Sequence, residues 1–505
     1  MRFNYTPGAL NINGLNLIRE IQLATNYSKQ NKKDSSSINK SASSLALAYE
    51  RARNAVEYRD EHLIRQAAIE RIIKRRLFLN QSSDKIATLL IKELTWAKYI
   101  EPNYRDIVDK DKFKNIIEKY RDFEDLAGLC ACEIDEILNF RPTDQIIINF
   151  VSQTLLGLIE IDGVDTKTKE LQIYIATERS FAKNSEILIK YKLLKVLLPN
   201  WDDKLKLQKT LDEIDEYLNY KHKDQIRRKV NQLSAPFNLI RDLAMEESAN
   251  LKKLTENEDE LKIKLKSILE SKYSETKNKV VRASQRSIVY IFLTKMILAI
   301  IIEIPFDLLL GKINFLVLSI NILFPPSLMI LFNSRVRLPE SNNTPLMIEK
   351  VIEYLYGNNN SKEPIKLDDV KTATDKVFMA IFGITSFLIL IGLIYFLNAL
   401  SFNFINQTIF IFFLSVVSFF AYRVNEISND YLLPESKNDS ILNTILDYIF
   451  LPIIKTGQWL SSQIAKVNIL SFIFDFIIEA PLKTFIEILE QWLHFVRIKK
   501  EEFLG

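Results

Sequence analysis

The amino-acid sequence predicts an all-α protein: a water-facing helical half followed by a helical membrane region. Three observations predict this. Glycine is scarce, 11 in 505 residues, which disfavours Gly-turn-rich β architectures, Rossmann domains and phosphate-loop enzymes and favours long helices. Nearly all long apolar runs lie after Arg286, whereas charge is spread through the first half. Apolar positions in that first half recur at helical spacing. With 48% hydrophobic and 26% charged residues and a mean hydropathy close to zero, the chain fits neither a disordered polyampholyte nor a protein sunk entirely in lipid.

Residues 1–44 read as an N-terminal segment and polar linker. The opening Met1-Arg2-Phe3-Asn4-Tyr5-Thr6-Pro7 lacks an apolar core before a small-residue site, so no cleavable signal peptide is expected. The stretch 26–44 carries Ser, Asn and Lys with almost no apolar side chain, too little to offset its ordering entropy. A helical soluble domain is expected over 45–200. Its first helix, about 45–80, places Leu45, Ala48, Ala52, Val56, Leu63 and Ala67 on one face, with Arg51, Arg53, Arg59 and Arg65 interleaved. Further helices are expected over 84–99, 111–139, 143–161 and 166–198, punctuated by Pro102, Pro142 and Pro199.

Residues 201–286 form the expected coiled-coil or helical-hairpin neck. A 4,3 spacing puts Ile226, Val230, Leu233, Phe237, Ile240, Ala244, Leu251, Leu254, Leu261, Leu265 and Ile268 in one register, interrupted at Glu247 and Glu258. Pro236 removes a backbone donor and should break the helix near Leu233.

Four stretches reach the roughly 20 residues needed to span a bilayer. They pair as hairpin 1 (287–333, spans 288–310 and 313–332) and hairpin 2 (377–421, spans 377–397 and 402–421), joined by the loop 334–376. Basic residues flank one side: Lys279, Arg282 and Arg286 before the first span, Arg335, Arg337, Lys371 and Lys376 in the loop, and Arg423 after the last. The positive-inside rule then places both termini and the loop in the cytoplasm. The region 422–505 is expected to be an amphipathic interfacial tail. Its recurring Asp447, Lys455, Lys466, Asp475, Glu479, Lys483 and Glu487 are too many for a lipid-facing span, while Trp492, Lys499 and Lys500 suit the interface.

The chemistry-bearing feature is polar. Lys295, Glu303 and Asp307 share one face of the first span by their spacings of eight and four. Pro305 withholds a donor from the Ile301 carbonyl, and Pro325 and Pro326 interrupt the second span one turn after Asn321. Discontinuous helices of this kind build ion sites in transporters. Two readings follow: Lys295 and Asp307 reach opposite interfaces while Glu303 is neutral or bonded inside the bundle, or the group lines an ion or proton path, joined by Asn321 and Glu479. The pattern Ile-Ile-Glu-x-Pro occurs at 301–305 and again at 477–481. The run 304–310, with Leu323-Phe324-Pro325, resembles the membrane segment of LETM-type mitochondrial cation/proton exchange proteins over this stretch alone. In that family the soluble domain follows a single span, whereas here it precedes four, and the resemblance implies nothing further for this chain.

The basic cluster Arg65, Arg71, Lys74, Arg75 and Arg76 suits either a solvated helix end or contact with anionic lipid headgroups; nucleic acid is not expected. Cys130 and Cys132 have no second pair to complete a metal site and read as buried structural thiols. His62, His222 and His494 are too few and too far apart for a triad. With no nucleophile elbow, phosphate loop, metal or cofactor motif, an enzyme is not expected. The expected function is an integral membrane scaffold or assembly protein whose helical head recruits a protein partner or a second copy. The alternative is a cation or proton transporter or channel using the carboxylates of the first span. The expected location is the inner or plasma membrane of a bacterium.

Overall fold

A computed structural model describes residues 10–30, 61–100, 110–138 except 122 and 124, 142–198 except 162, 204–309, 314–357 except 335, 337, 340 and 341, 363–365, 373–434 and scattered positions between Tyr448 and Lys499. The protein is all-helical. Its helices are α1 (Ile12–Gln30), α2 (Ile64–Phe78), α3 (Ser83–Trp96), α4 (Lys110–Lys119), α5 (Leu126–Leu138), α6 (Pro142–Leu158), α7 (Thr166–Ser180), α8 (Glu186–Leu197), α9 (Lys204–Leu218), α10 (Lys223–Leu233), α11 (Ala235–Glu246), α12 (Leu251–Glu256), α13 (Glu258–Leu298), α14 (Ile304–Leu309), α15 (Phe315–Asn333), α16 (Asn343–Tyr356), α17 (Ala373–Ala399) and α18 (Phe404–Ser428). Two three-residue extended segments, Ile159–Ile161 and Glu363–Ile365, accompany them. The chain divides into two compact units, residues 15–230 with 467–505 and residues 231–466 with 1–14.

In the first unit, α2 packs on α3 and α5, α3 on α4, α5 on α8, and α8 on α9. Their common core includes Ile73, Leu90, Ile117, Leu129 and Leu194, all without exposed surface. The helices are shorter than apolar spacing suggests. The stretch 111–139 divides into α4 and α5, and 166–198 into α7 and α8, where Ser185 caps the new helix by accepting from the Leu188 amide at 3.4 Å. A hydroxyl able to satisfy a free amide starts a helix where apolar periodicity would have continued one. Pro142 begins α6 itself, as its fixed φ and missing donor permit in a first turn.

In the second unit the neck seam is divided among short helices. Pro236 lies in the first turn of α11, so α10 ends at Leu233, as its missing donor requires. Phe237, Ile240, Leu251, Leu261, Leu265 and Ile268 are buried, but the chain reverses after α11 and α13 packs back on it. Lys264 on α13 reaches Glu247 at 2.7 Å, and Lys272 lies 3.9 Å from both Asp242 and Glu246 on α11. Asn257 caps α13 by accepting from the Asp259 and Glu260 amides, and Glu258, Asp259 and Glu260 complement the positive end of the helix. Asn343 joins three elements, donating to Tyr273 Oη at 2.7 Å and to the Tyr431 carbonyl at 2.8 Å while accepting from the Leu433 amide at 3.1 Å.

Among the described residues, three helices are long and apolar enough to cross a membrane: the continuous 52-residue run Glu258–Leu309, Phe315–Asn333 and Ala380–Ala399. A shorter apolar stretch, Phe404–Ser418, lies within α18. Helices α13, α15 and α18 pack together around Ile291, Met329, Leu414 and Val417. By contrast α17 leaves Ile384, Phe387, Leu388 and Tyr395 exposed, although Leu397 packs with Val317, Phe402 and Phe410 and Thr385 meets Tyr448 Oη at 2.7 Å. Apolar exposure on this scale is stable when lipid covers it.

Candidate functional site: buried charges between membrane helices

The first membrane helix does not break at Pro305. It passes through a single π turn, Ala299–Glu303, in which the Ile304 amide donates to the Ala299 carbonyl five residues back, and continues as α14. Nor do Pro325 and Pro326 interrupt the second, since both lie inside the continuous α15. The expected discontinuous helices are therefore absent among the described residues. Local widening and packed neighbours accommodate the missing donors, as membrane helices allow.

Lys295, Glu303 and Asn321 have no exposed surface, and Asp307 retains 3%. The Lys295 ammonium is hydrogen-bonded to Glu303 Oε1, and Asn321 Nδ2 donates to Glu303 Oε2 at 2.9 Å. Lys295 Nζ also stands 5.0 Å from the centre of the Phe413 ring, a favourable cation–π placement. The expectation that Lys295 and Asp307 extend to opposite interfaces is thus corrected. A charge at mid-membrane costs about 2.5–3.5 kcal/mol on insertion scales, and pairing inside the bundle offsets that cost.

Asp307 joins a different helix. Its Oδ1 accepts from Asn403 Nδ2 at 2.6 Å and Asn406 Nδ2 at 3.2 Å. Asn403 precedes α18 and accepts the Asn406 amide at 2.8 Å, so the side chain that starts the helix also meets the carboxylate. Sequence reasoning missed both asparagines. Their i, i+3 spacing at the start of an apolar helix was the available signal. Among the described residues, Asn321 Oδ1, Asn406 Oδ1 and Ser418 Oγ are buried without a hydrogen-bond partner. Two of these oxygens belong to amides already bonded to the buried carboxylates, so each carboxylate has an unshared oxygen lone pair near it. Glu479 lies outside the described residues, as do 477–480 of the repeated pattern and His494.

The basic cluster is only partly available to lipid. Arg75 is 4% exposed and bonded to Glu93, and Arg76 reaches the other oxygen of the same carboxylate at 2.5 Å. Arg75 is therefore withdrawn from any headgroup: its helix face packs against α3, and a buried guanidinium requires a carboxylate. Lys74 is exposed and paired with Glu70, while Arg71 is half-buried. Arg65 is bonded to Asp135 at 2.5 Å.

Cys130 and Cys132 are buried, and burial pushes both thiols above their usual range. Gln66 Nε2 donates to Cys132 Sγ at 3.0 Å. His62 meets Asn184 Oδ1 at 2.8 Å, and Asn184 in turn bonds Glu178, a fully buried carboxylate held by Lys192 at 2.9 Å. His222 is buried beside Tyr220. No group of three or more His, Cys, Asp and Glu side chains converges among the described residues. No protein-family model, curated protein or solved structure matches this chain.

Proposed function

We propose that the membrane bundle moves protons or small cations through the polar groups between α13–α14, α15 and α18. The observation that carries this reading is the burial of two carboxylates, Glu303 and Asp307, inside helices of membrane-spanning character, each beside an amide with an unshared oxygen. Ionisable groups in that setting are costly and commonly mark ion and proton routes. Glu303 exchanges between Lys295 and a passing ion, and Asp307 with Asn403 and Asn406 supplies oxygen ligands nearer the hairpin turn. In this reading both termini face the cytoplasm and the bundle lies in the inner or plasma membrane of a bacterium, an orientation supported by the basic residues that flank the spans. In proteoliposomes carrying an internal pH dye, wild-type protein is expected to give a cation-dependent pH change that Glu303→Gln abolishes. A wild-type protein that produces no such change in any alkali or divalent cation overturns the reading.

A second reading rests on a different observation, the separate compact unit spanning residues 15–230 with its own apolar core. Such a body, followed by the seam over 226–268, suits a membrane-anchored scaffold that recruits a protein partner or a second copy. Residues 45–285 expressed alone are then soluble, helical and oligomeric or partner-binding. A monodisperse monomer that captures nothing from a lysate refutes this role.

A further inference from the structure

The π turn and the Lys295–Glu303 pair are geometrically linked. Eight residues separate the two side chains. At ~100° per residue an unbroken α-helix would set them about 80° apart around the axis, with Glu303 turned away from Lys295. A π turn accommodates one residue more than an α turn, which removes roughly 100° of accumulated rotation and brings the pair to within about 20° of one azimuth. The turn occupies Ala299–Glu303, between the two partners. Asp307, four residues further along a regular α-helix, then stands about 40° beyond Glu303. That difference accords with its bonding to Asn403 and Asn406 where Glu303 meets Asn321.

The cause of the π turn is on the same stretch. Proline inside an α-helix clashes with the carbonyl four residues earlier and cannot donate to it. For Pro305 that carbonyl belongs to Ile301, inside the π turn, where the wider backbone relieves the clash. We infer that Pro305 is a positioning residue: by imposing the π turn it sets the rotation at which Glu303 meets Lys295 and Asn321. In Pro305→Ala the amide returns, the α register becomes available, and the charged pair separates. The inference concerns how the pair is built and stands whether or not the bundle conducts.

The test is a coupling measurement on the full chain in detergent, using unfolding midpoints. With Pro305 in place, Lys295→Met and Glu303→Gln should be strongly non-additive, because either change alone already breaks the pair. In Pro305→Ala the two shifts should add. Deleting Ile301 in the Pro305→Ala background leaves the partners seven positions apart, which a plain α-helix places at about 20°, so non-additivity should return to at least half its original size. Ile301 is 66% exposed, so its removal takes no buried side chain. Should Pro305→Ala fail to fold, the deletion variant decides, since it carries the same substitution. Wild-type coupling in Pro305→Ala, or no recovery of coupling on deletion, overturns the proposal.

Discussion

Replacing Glu93 by glutamine keeps the shape of the side chain and removes its charge, leaving Arg75 buried opposite a neutral amide. The Arg75 and Glu93 side chains retain 3% and 1% exposure, with Arg76 at 19% on the second carboxylate oxygen. Breaking a pair so enclosed costs about 3–5 kcal/mol, because the carboxylate that meets the buried guanidinium loses its charge where little water can replace it. At 1.4 kcal/mol per tenfold, the opening of α2 and α3 becomes on the order of a hundred to several thousand times more frequent. Hydrogen exchange on peptides covering 64–96 of the full-length protein reads this directly. The paired replacement Arg75→Met with Glu93→Leu should recover most of the protection, since an apolar pair of similar volume avoids the desolvation penalty. Acceleration below tenfold, or accompanied by stronger binding to anionic vesicles, would refute the assignment of these arginines to the core and return them to a lipid-facing role.

Other perturbations test other parts of the molecule. Cys130 and Cys132 should resist a maleimide in the native protein and react fully after denaturation, because burial raises both thiols and blocks access to them; mass spectrometry before and after urea checks it. Hydrogen bonds from Lys264 and Asn250 hold the Glu247 carboxyl below its ordinary value. The stabilisation this gives is present above the usual glutamate range and is lost as pH falls through the lowered folded value, so exchange over 258–268 should accelerate only on strong acidification. Asn343→Ala should destabilise the junction of α13, α16 and the segment after α18 by about 1–3 kcal/mol for each buried group left unsatisfied, seen as faster exchange at 429–433. Asp307→Leu should release the start of α18 by stranding Asn403 and Asn406, while Asp307→Asn keeps most of the fold; protease sensitivity near 398–406 distinguishes them.

The sequence carried the helical class and the apolar helices, because period and hydropathy depend on residues close in the chain. Other features depend on contacts that no local pattern records. The long helices expected at 111–139 and 166–198 divide where capping groups such as Ser185 and backbone reversals interrupt an uninterrupted apolar rhythm. Arg75 looked like one member of an exposed basic run until α3 supplied Glu93 to its buried face. Pro305, Pro325 and Pro326 read as breaks from composition, whereas packing in a bundle allows a π turn or an intact helix. Asn403 and Asn406 become recognisable only once α18 is seen lying beside Asp307.

The central claim is that charges within the membrane helices face one another inside the bundle. Nitrogen–carbon dipolar magic-angle NMR on labelled protein in lipid bilayers measures it most directly. A strong through-space transfer between Lys295 Nζ and the Glu303 carboxyl carbon, lost in Glu303→Gln without loss of the helical signals, is the expected result. A Lys295 ammonium in contact with lipid phosphate or water and no transfer to Glu303 would contradict it.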